Sequence, residues 1–180
     1  MATTTHLLTA EELLELSENG RYELVKGVLL TRSPAGAAHG AVTINLTLPI
    51  SAYVKAHNLG VVFAAETGFK LESNPDTVLA PDIAFIRRDR VGLLPSGYLD
   101  TVPDLAVEVN SSSETRHRVE TKTSQWLSFG VRSVWVVSCK NRTVEVVSAS
   151  GSRMLFTESD ELIDEDVLPG FRVPVAEIFN

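Results

Sequence analysis

The chain has 180 residues, of which 44% are hydrophobic and 22% charged, a composition typical of a folded globular protein and unlike that of a disordered or low-complexity chain. This length predicts one domain over residues 1–180, with a core large enough to be stable by itself. The formal net charge of −7 argues against a protein that coats nucleic acid by bulk attraction, although it leaves room for a nuclease with a local basic cleft.

Cysteine content and hydropathy indicate the compartment. The single cysteine, Cys139, excludes an internal disulfide and a cysteine-based zinc site, and it favours a reducing environment. The most apolar long window, 35–54, is interrupted by polar residues and a proline, so we predict no membrane helix. Residues 1–5 carry no basic side chain and lead into no hydrophobic segment, so we expect no secretory signal and a cytoplasmic location.

The N-terminal third predicts two helices and a hairpin. The capping box Thr9-Ala10-Glu11-Glu12, followed by three leucines, predicts a short amphipathic helix over 9–18 that ends at Asn19-Gly20. The strand-like runs 21–25 and 28–31 flank Lys26-Gly27, which predicts a hairpin. Apolar residues at near-helical spacing predict a longer helix from 36 to 57, which Pro49 should kink or divide.

The rest of the sequence predicts mainly strands. Helical spacing over 114–129 predicts a second long helix, which Gly130 ends, and 88–103 has the prolines and glycines of a surface loop. Strands on both sides of two long helices predict a mixed α/β fold with a central sheet flanked by helices. The strand-like runs are 61–65, 68–71, 79–86, 105–109, 134–137, 143–147 and 153–156.

Acidic residues inside apolar strands are the main chemical signal, because the sequence lacks Walker, GxGxxG, GxSxG, HExxH and CxxC motifs. Glu108 shares a strand face with Ala106 and Asn110, opposite to the face of Leu105 and Val107. An ionised carboxylate on a covered strand needs a cation, a metal or several hydrogen bonds. The alternative is an edge strand on which Glu108 meets water.

Asp82 lies in a second apolar run, after Pro81, which favours a position near a strand edge or bulge. A simple turn aspartate beside a proline is the alternative. If Asp82 and Glu108 lie on neighbouring strands, the two carboxylates could hold a magnesium-sized ion, since Mg²⁺ is bound by one or two carboxylates together with waters and phosphate oxygens.

Three further residues are candidates for the same site. Lys122 lies on the predicted helix on the side of Trp126, so it could neutralise a phosphate or orient a water, or it could be a surface lysine that snorkels past the ring. Glu23 is a strand glutamate with the same ambiguity as Glu108. His39 could be a ligand or proton carrier, or a histidine that is simply hydrogen-bonded.

Two basic clusters and one thiol complete the set of candidates. Arg116-His117-Arg118 and Arg87-Arg88-Asp89-Arg90 could form a positive rim around the carboxylates, although solvated loop charge explains either cluster taken alone. Cys139 follows an apolar strand with no histidine nearby in the sequence, which favours a plain buried or edge thiol over a nucleophile.

Short motifs also occur in a characteristic order along nearly the whole chain. This ordered set resembles the Uma two (Uma2) family, whose members are described as restriction endonucleases. The motifs are Arg21-Tyr22-Glu23-Leu24-Val25-x-Gly27, Ser33-Pro34 with His39, Pro81-Asp82-Ile83, Pro103-Asp104-Leu105-x-Val107-Glu108-Val109 followed by serines, Lys122, Gly130-Val131 before Trp135, and Leu168-Pro169-Gly170-Phe171.

The resemblance implies a restriction-endonuclease-like fold of the PD-(D/E)XK type, a mixed β-sheet flanked by helices. It implies that Asp82 and Glu108 are the metal-holding carboxylates and that Glu23 is an additional acid of the catalytic set. Position 110, where the motif has its lysine, is Asn110, so Lys122 on the following helix would be the displaced lysine.

The implied reaction is hydrolysis of DNA phosphodiester bonds assisted by Mg²⁺ or Mn²⁺. The sequence leaves a second interpretation open, in which the chain is an inactive nuclease-fold protein that works as a homo-oligomeric, for example dimeric, binding module. That interpretation predicts no bound metal and carboxylates paired with Arg116, Arg118 or Lys122.

Overall fold

The computed structural model describes residues 6–16, 20–110 and 114–180. Residues 1–5, Asn19 at the predicted helix end, and the serines 111–113 lie outside the described residues. The elements are α1 (Ala10–Leu16), β1 (Arg21–Val25), β2 (Val28–Arg32), α2 (Ala37–Ala56), β3 (Gly60–Ala64), β4 (Phe69–Glu72), β5 (Thr77–Leu79), β6 (Ile83–Arg87), β7 (Leu105–Asn110), α3 (Arg116–Ser128), β8 (Ser133–Ser138), β9 (Thr143–Ser148), β10 (Arg153–Phe156), β11 (Glu161–Leu162), β12 (Val173–Pro174) and α4 (Val175–Ile178).

The largest layer is a six-stranded mixed sheet with the strand order β10-β9-β8-β7-β6-β3. β7 and β8 run parallel, and the other neighbouring strands in this sheet are antiparallel. A parallel pair needs a crossover connection, which α3 supplies between β7 and β8. The mixed sheet with flanking helices confirms the predicted α/β class.

Side-chain alternation along β7 divides the core between the two faces of this sheet. Leu105 and Val107 belong to an apolar core shared with α2, whereas Ala106 packs with Trp126 of α3. The same alternation puts Glu108 on the α3 face.

A second, four-stranded sheet has the order β2-β1-β5-β4. Its hairpin β1–β2 turns at Lys26 and Gly27, whose φ angles of 49° and 76° fit the left-handed conformations of a tight hairpin turn. The predicted hairpin is therefore confirmed. It positions Glu23 of β1 and Arg32 of β2 beside the first sheet.

The predicted strand 79–86 is wrong in one respect, because this segment belongs to two strands in different sheets. β5 ends at Leu79 in the four-stranded sheet and β6 begins at Ile83 in the six-stranded sheet. Pro81 between them has no N–H to donate to a ladder, so the chain leaves one sheet before it joins the other. Asp82 lies in this link, immediately before β6.

Of the two predicted effects of Pro49, a kink or a division of the second helix, the division is wrong, because α2 runs from Ala37 to Ala56 without a break. A proline removes one N–H and strains one turn. Leu46, Ile50 and Val54 are buried along one side of α2 and anchor the turns around Pro49 to the sheet. Tertiary packing thus overrides the local preference.

The C-terminal segment contains elements that the sequence did not predict: the two-stranded sheet β11–β12 and the short helix α4. Phe171, Val175 and Ile178 from this segment are buried in the same core as α2. Among the described residues, no helix combines the length and the hydropathy that a membrane span requires.

Candidate active site

One open cavity of about 520 Å³ brings all four predicted site residues together. Glu23, Asp82, Glu108 and Lys122 line it, and His39 joins them from the start of α2. These side chains come from β1, the β5–β6 link, β7, α3 and α2, so five separate segments meet at one place.

Asp82 and Glu108 are brought together by the pairing of β6 with β7. The antiparallel register ends with Ile83 opposite Val107, and the Asp82 N–H donates to the Val107 carbonyl at 3.0 Å just before β6 begins. The Val109 N–H donates to the Asp82 carboxylate, so this side chain lies beside the end of β7. The two carboxylates line the same cavity, and the Asp82 charge raises the pKa of Glu108.

Among the described residues, the Asp82 carboxylate has one backbone hydrogen-bond donor and one side-chain partner. The Val109 N–H donates to Oδ2 at 2.7 Å, and Nε2 of His39 lies 3.1 Å from Oδ1. The hydrogen bond to Asp82 raises the pKa of His39, although the partial burial of the ring opposes this. The contact with Val109 ties the link before β6 to the end of β7.

Glu108 is buried, with 5% of its surface exposed, because β7 is an interior strand of its sheet. The alternative of a water-facing edge strand is therefore wrong. Trp126 Nε1 donates to Oε1 at 2.7 Å and Lys122 Nζ donates to Oε2 at 2.5 Å. Burial raises the pKa of Glu108, the nearby Asp82 charge adds to this, and the Lys122 ammonium opposes it.

Glu23 is also buried, with 3% of its surface exposed, but its partners differ from those of Glu108. One oxygen accepts from the Arg32 guanidinium, and the other accepts from the Ala80 N–H at 3.3 Å. Sequence reasoning missed Arg32. The sequence contained a signal for it, an acidic residue on one strand of the hairpin and a basic residue near the facing position on the other strand. Glu23 pairs with Leu30, and Arg32 lies two residues after Leu30 on the same strand.

The rim of the cavity is more basic than the protein as a whole. Its side chains include four bases and four acids, whereas the chain carries a net charge of −7. The bases are Arg21, Arg32, Arg118 and Lys122, and the acids are Glu23, Asp82, Glu108 and Glu114.

Of the two basic clusters in the sequence, one reaches the cavity. Arg118 lines it, but the exposed Arg116 does not. Arg87 and Arg90 do not line it, and both bind the buried carboxylate of Asp104. The cluster after β6 is therefore structural, and its expected contribution to a rim around the carboxylates is wrong.

Cys139 follows β8 and is half-buried with a free thiol. Burial raises the pKa of this thiol, and the Asp82 charge adds to the rise. A higher pKa lowers the thiolate fraction, so the structure favours the plain-thiol interpretation over a nucleophile.

The carboxylate pair fits a hard divalent cation. Asp82 and Glu108 present carboxylate oxygens, which such ions prefer, and each oxygen has acceptor capacity beyond the contact that it makes with the described residues. The mutual repulsion of the two carboxylates also favours a cation between them. Within the described ranges no group of three or more His, Cys, Asp or Glu is arranged to hold a metal, so water or substrate oxygens would have to complete the coordination.

Comparisons with known proteins agree with this architecture. The model of the Uma2 family, described as "Putative restriction endonuclease", matches residues 10–176. A solved structure described as a putative nuclease belonging to DUF820, from Anabaena variabilis ATCC 29413, superposes with a TM-score of 0.80. It is 18% identical, and the alignment covers 96% of this chain and 97% of that one, which shows a shared fold. No curated protein matches the chain.

Proposed function

Since the chain belongs to the Uma2 family of restriction-endonuclease-like proteins, we propose that it is a metal-dependent endonuclease that hydrolyses phosphodiester bonds in DNA. The observation that carries the proposal is the convergence of Asp82, Glu108 and Lys122 in one open cavity. The description of the superposed structure as a nuclease supports the same reaction class.

Asp82 and Glu108 are the residues that would hold Mg²⁺ or Mn²⁺. A divalent ion bound there supplies Lewis-acid stabilisation of the phosphoryl oxygen and lowers the pKa of a bound water. The chain itself fixes the two carboxylates: the Val109 N–H and His39 hold Asp82, and Trp126 holds Glu108.

Lys122 contributes a cation at the point where negative charge develops on the phosphoryl group. Its Nζ is anchored on Glu108, so the ammonium is positioned before the substrate arrives. In hydrolysis the water oxygen forms a bond to phosphorus, the P–O bond to the leaving group breaks, and the leaving oxygen takes up a proton. An ammonium held beside the reacting centre stabilises the charge that this exchange creates.

The arrangement of Glu23 supports an indirect role in this reaction. Both of its carboxylate oxygens have protein partners, Arg32 and the Ala80 N–H, so its buried charge orients an arginine at the cavity wall. Glu23 is accordingly proposed as a positioning residue of the catalytic set. The proposed setting is the cytoplasm, where a free Cys139 stays reduced.

The test is cleavage of supercoiled plasmid DNA with Mg²⁺ or Mn²⁺, with the Asp82→Asn and Glu108→Gln variants alongside the wild-type protein. We expect metal-dependent nicking by the wild-type protein and a loss of at least about a hundredfold in both variants. Glu145→Gln is the matched control and should cleave normally, because Glu145 lies on β9, two strands from β7 in the same sheet, and outside the cavity lining. Equal cleavage by Glu108→Gln and Glu145→Gln would refute the site.

A second function is favoured by one specific observation: the Glu108–Lys122 ion pair satisfies a buried carboxylate without a metal. This is the contact expected of a nuclease-fold protein that serves as a homo-oligomeric, for example dimeric, binding module. Calorimetric titration with Mn²⁺ separates the two functions, because the enzyme should give saturable heat that Glu108→Gln abolishes. A binding module should give no such heat, and light scattering should then report its oligomeric state.

A further inference from the structure

We propose that Arg32 and Arg118 form a binding site for a backbone phosphate of DNA beside the Asp82–Glu108 pair. The proposal rests on the proposed endonuclease function and deepens it, since it names the residues that hold the DNA strand next to the reacting centre. We refer to Arg32 and Arg118 as the arginine pair.

The arginine pair lines the same cavity as the two carboxylates but comes from different layers of the fold. Arg32 ends β2 of the four-stranded sheet, whereas Arg118 lies in the first turn of α3, which covers the six-stranded sheet. A group bound by both guanidinium groups would therefore bridge the two layers across the cavity.

Arg32 has donor capacity that the protein does not use. One terminal nitrogen donates to Glu23, but its buried Nε has no hydrogen-bond partner among the residues that the structure describes. A guanidinium carries five N–H donors in a planar fork, and a buried donor without a partner is costly. A phosphate oxygen in the cavity would supply the acceptor.

The like charges of Arg32 and Arg118 also favour an anion between them. Burial lowers the pKa of Arg32 and the charge of Arg118 lowers it further, while the carboxylates of Glu108 and Glu114 oppose this. Two guanidinium groups that repel each other across an open cavity are stabilised when an anion enters between them.

Arg118 is held in a position suited to such a ligand. Its backbone N–H is capped by the Thr115 side chain, and the first turn of α3 carries no acidic residue. Its side chain is 58% exposed and forms an ion pair with Glu114, in which Nε lies 3.8 Å from the carboxylate. The positive end of the helix macrodipole adds to the attraction for an anion.

A DNA phosphate is the anion that these features fit best. Guanidinium groups bind phosphate oxygens in a bidentate manner, which a lysine cannot do. Adjacent phosphates of one strand are separated by only about 3.4 Å along the helix axis, so a substrate whose reacting phosphate meets Lys122 brings further phosphates to the cavity rim.

The experiment measures binding without cleavage. Fluorescence anisotropy of a labelled DNA duplex, with EDTA present, gives the affinity of the wild-type protein and of Arg118→Met over a range of salt concentrations. We expect Arg118→Met to bind about tenfold more weakly. Its slope of log K against log salt should fall by about 0.9, the value for one lost phosphate contact.

The matched control is Arg116→Met. Arg116 lies on the same helix, its side chain is 93% exposed, and it does not line the cavity. The Arg116→Met substitution removes the same charge from the protein as Arg118→Met, so a general electrostatic effect would weaken DNA binding equally in both variants. The proposal predicts a loss in Arg118→Met that is clearly larger than the loss in Arg116→Met.

Arg32 needs a different design, because its removal leaves the buried Glu23 carboxylate without its cation. The double variant Glu23→Gln/Arg32→Met removes both charges together, and Arg32→Lys keeps the charge but not the planar fork. Thermal unfolding checks that each variant folds. Both should bind the duplex about tenfold more weakly than the wild-type protein, since each lacks the guanidinium.

The outcomes separate this proposal from the endonuclease function. If the wild-type protein never cleaves DNA, but Arg118→Met binds the duplex more weakly than Arg116→Met does, the phosphate site is supported and the endonuclease function is contradicted. Metal-dependent cleavage with equal binding by Arg118→Met and Arg116→Met contradicts the phosphate site and leaves the nuclease intact. A wild-type protein that does not bind the duplex even at low salt also overturns the phosphate site.

Discussion

Lys122 Nζ lies 2.5 Å from Oε2 of Glu108, a residue 14 positions earlier in the chain and in a different element. The contact exists because α3 packs on the face of β7 that carries Glu108. Trp126, one turn after Lys122, is fully buried against Ala106 and donates to the other oxygen of the same carboxylate. One helix face thus supplies both the cation and the hydrogen bond that a buried strand carboxylate needs.

Lys122→Met removes the ammonium and keeps most of the aliphatic stem. We expect a loss of DNA cleavage of about a hundredfold, because a preorganised cation is lost from the reacting centre. We also expect a loss of about 2 kcal/mol in unfolding free energy, since Glu108 loses its cation while the 22% exposure of Lys122 moderates the cost. Cleavage assays and urea unfolding measure the two effects. Lys55→Met, at the exposed end of α2, should change neither.

Trp126→Phe tests whether the orientation of Glu108 matters for catalysis. The indole N–H that donates to Oε1 is lost, so we expect kcat to fall about tenfold or more with little change in KM. Trp135→Phe is the matched control, because Trp135 Nε1 donates in the same way to the buried Asp164, outside the cavity lining. Both variants should be destabilised to a similar degree, but only Trp126→Phe should slow cleavage. A comparable fall in kcat in the two variants would assign Trp126 a purely structural role.

The raised pKa of Glu108 predicts how stability depends on pH. A carboxyl whose pKa is higher in the folded state stabilises the protein fully below its unfolded pKa, about 4.5, and this contribution is lost as pH rises through the folded pKa. Glu108→Gln resembles the protonated form. In metal-free buffer we therefore expect its stability relative to the wild-type protein to increase from acid to neutral pH. Urea unfolding at a series of pH values measures this, and a constant difference contradicts the expected burial penalty.

The carboxyl of Asp76, which lies outside the cavity lining, predicts the opposite dependence of protein stability on pH. Burial opposes ionisation of this carboxyl, but hydrogen bonds from the Ala10 N–H and Lys70 outweigh it and lower its pKa below 3.8. Its stabilisation is present above pH 3.8 and is lost as pH falls through the folded pKa. Asp76→Asn should therefore destabilise the protein at neutral pH and less so in acid. Urea unfolding at a series of pH values measures this, and a loss of stability that is equal at neutral and acid pH contradicts the prediction.

The comparison of sequence and structure shows which kinds of inference local patterns support. The hairpin at Lys26-Gly27 and the helices around Leu13 and Trp126 were predicted correctly, because their signals are turn chemistry and apolar periodicity. The sequence left open whether Pro49 kinks or divides the long helix, and it did not predict the division of 79–86 between two sheets. Both depend on which layer each segment packs against, and no local pattern contains that information.

For the site, the sequence by itself determined the residue types: carboxylates at 82 and 108 within apolar segments, and a lysine and a tryptophan one turn apart on the helix that follows. Only the tertiary structure decided their relationships. The pairing of β6 with β7 brings Asp82 beside the end of β7, α3 brings Lys122 to Glu108, and the second sheet turns Glu23 toward Arg32. The physical reason is that burying a charge is costly in any strand, so a charged residue within an apolar segment can be recognised from the sequence. The partner that offsets this cost comes from a segment distant in the chain, and only the tertiary structure identifies it.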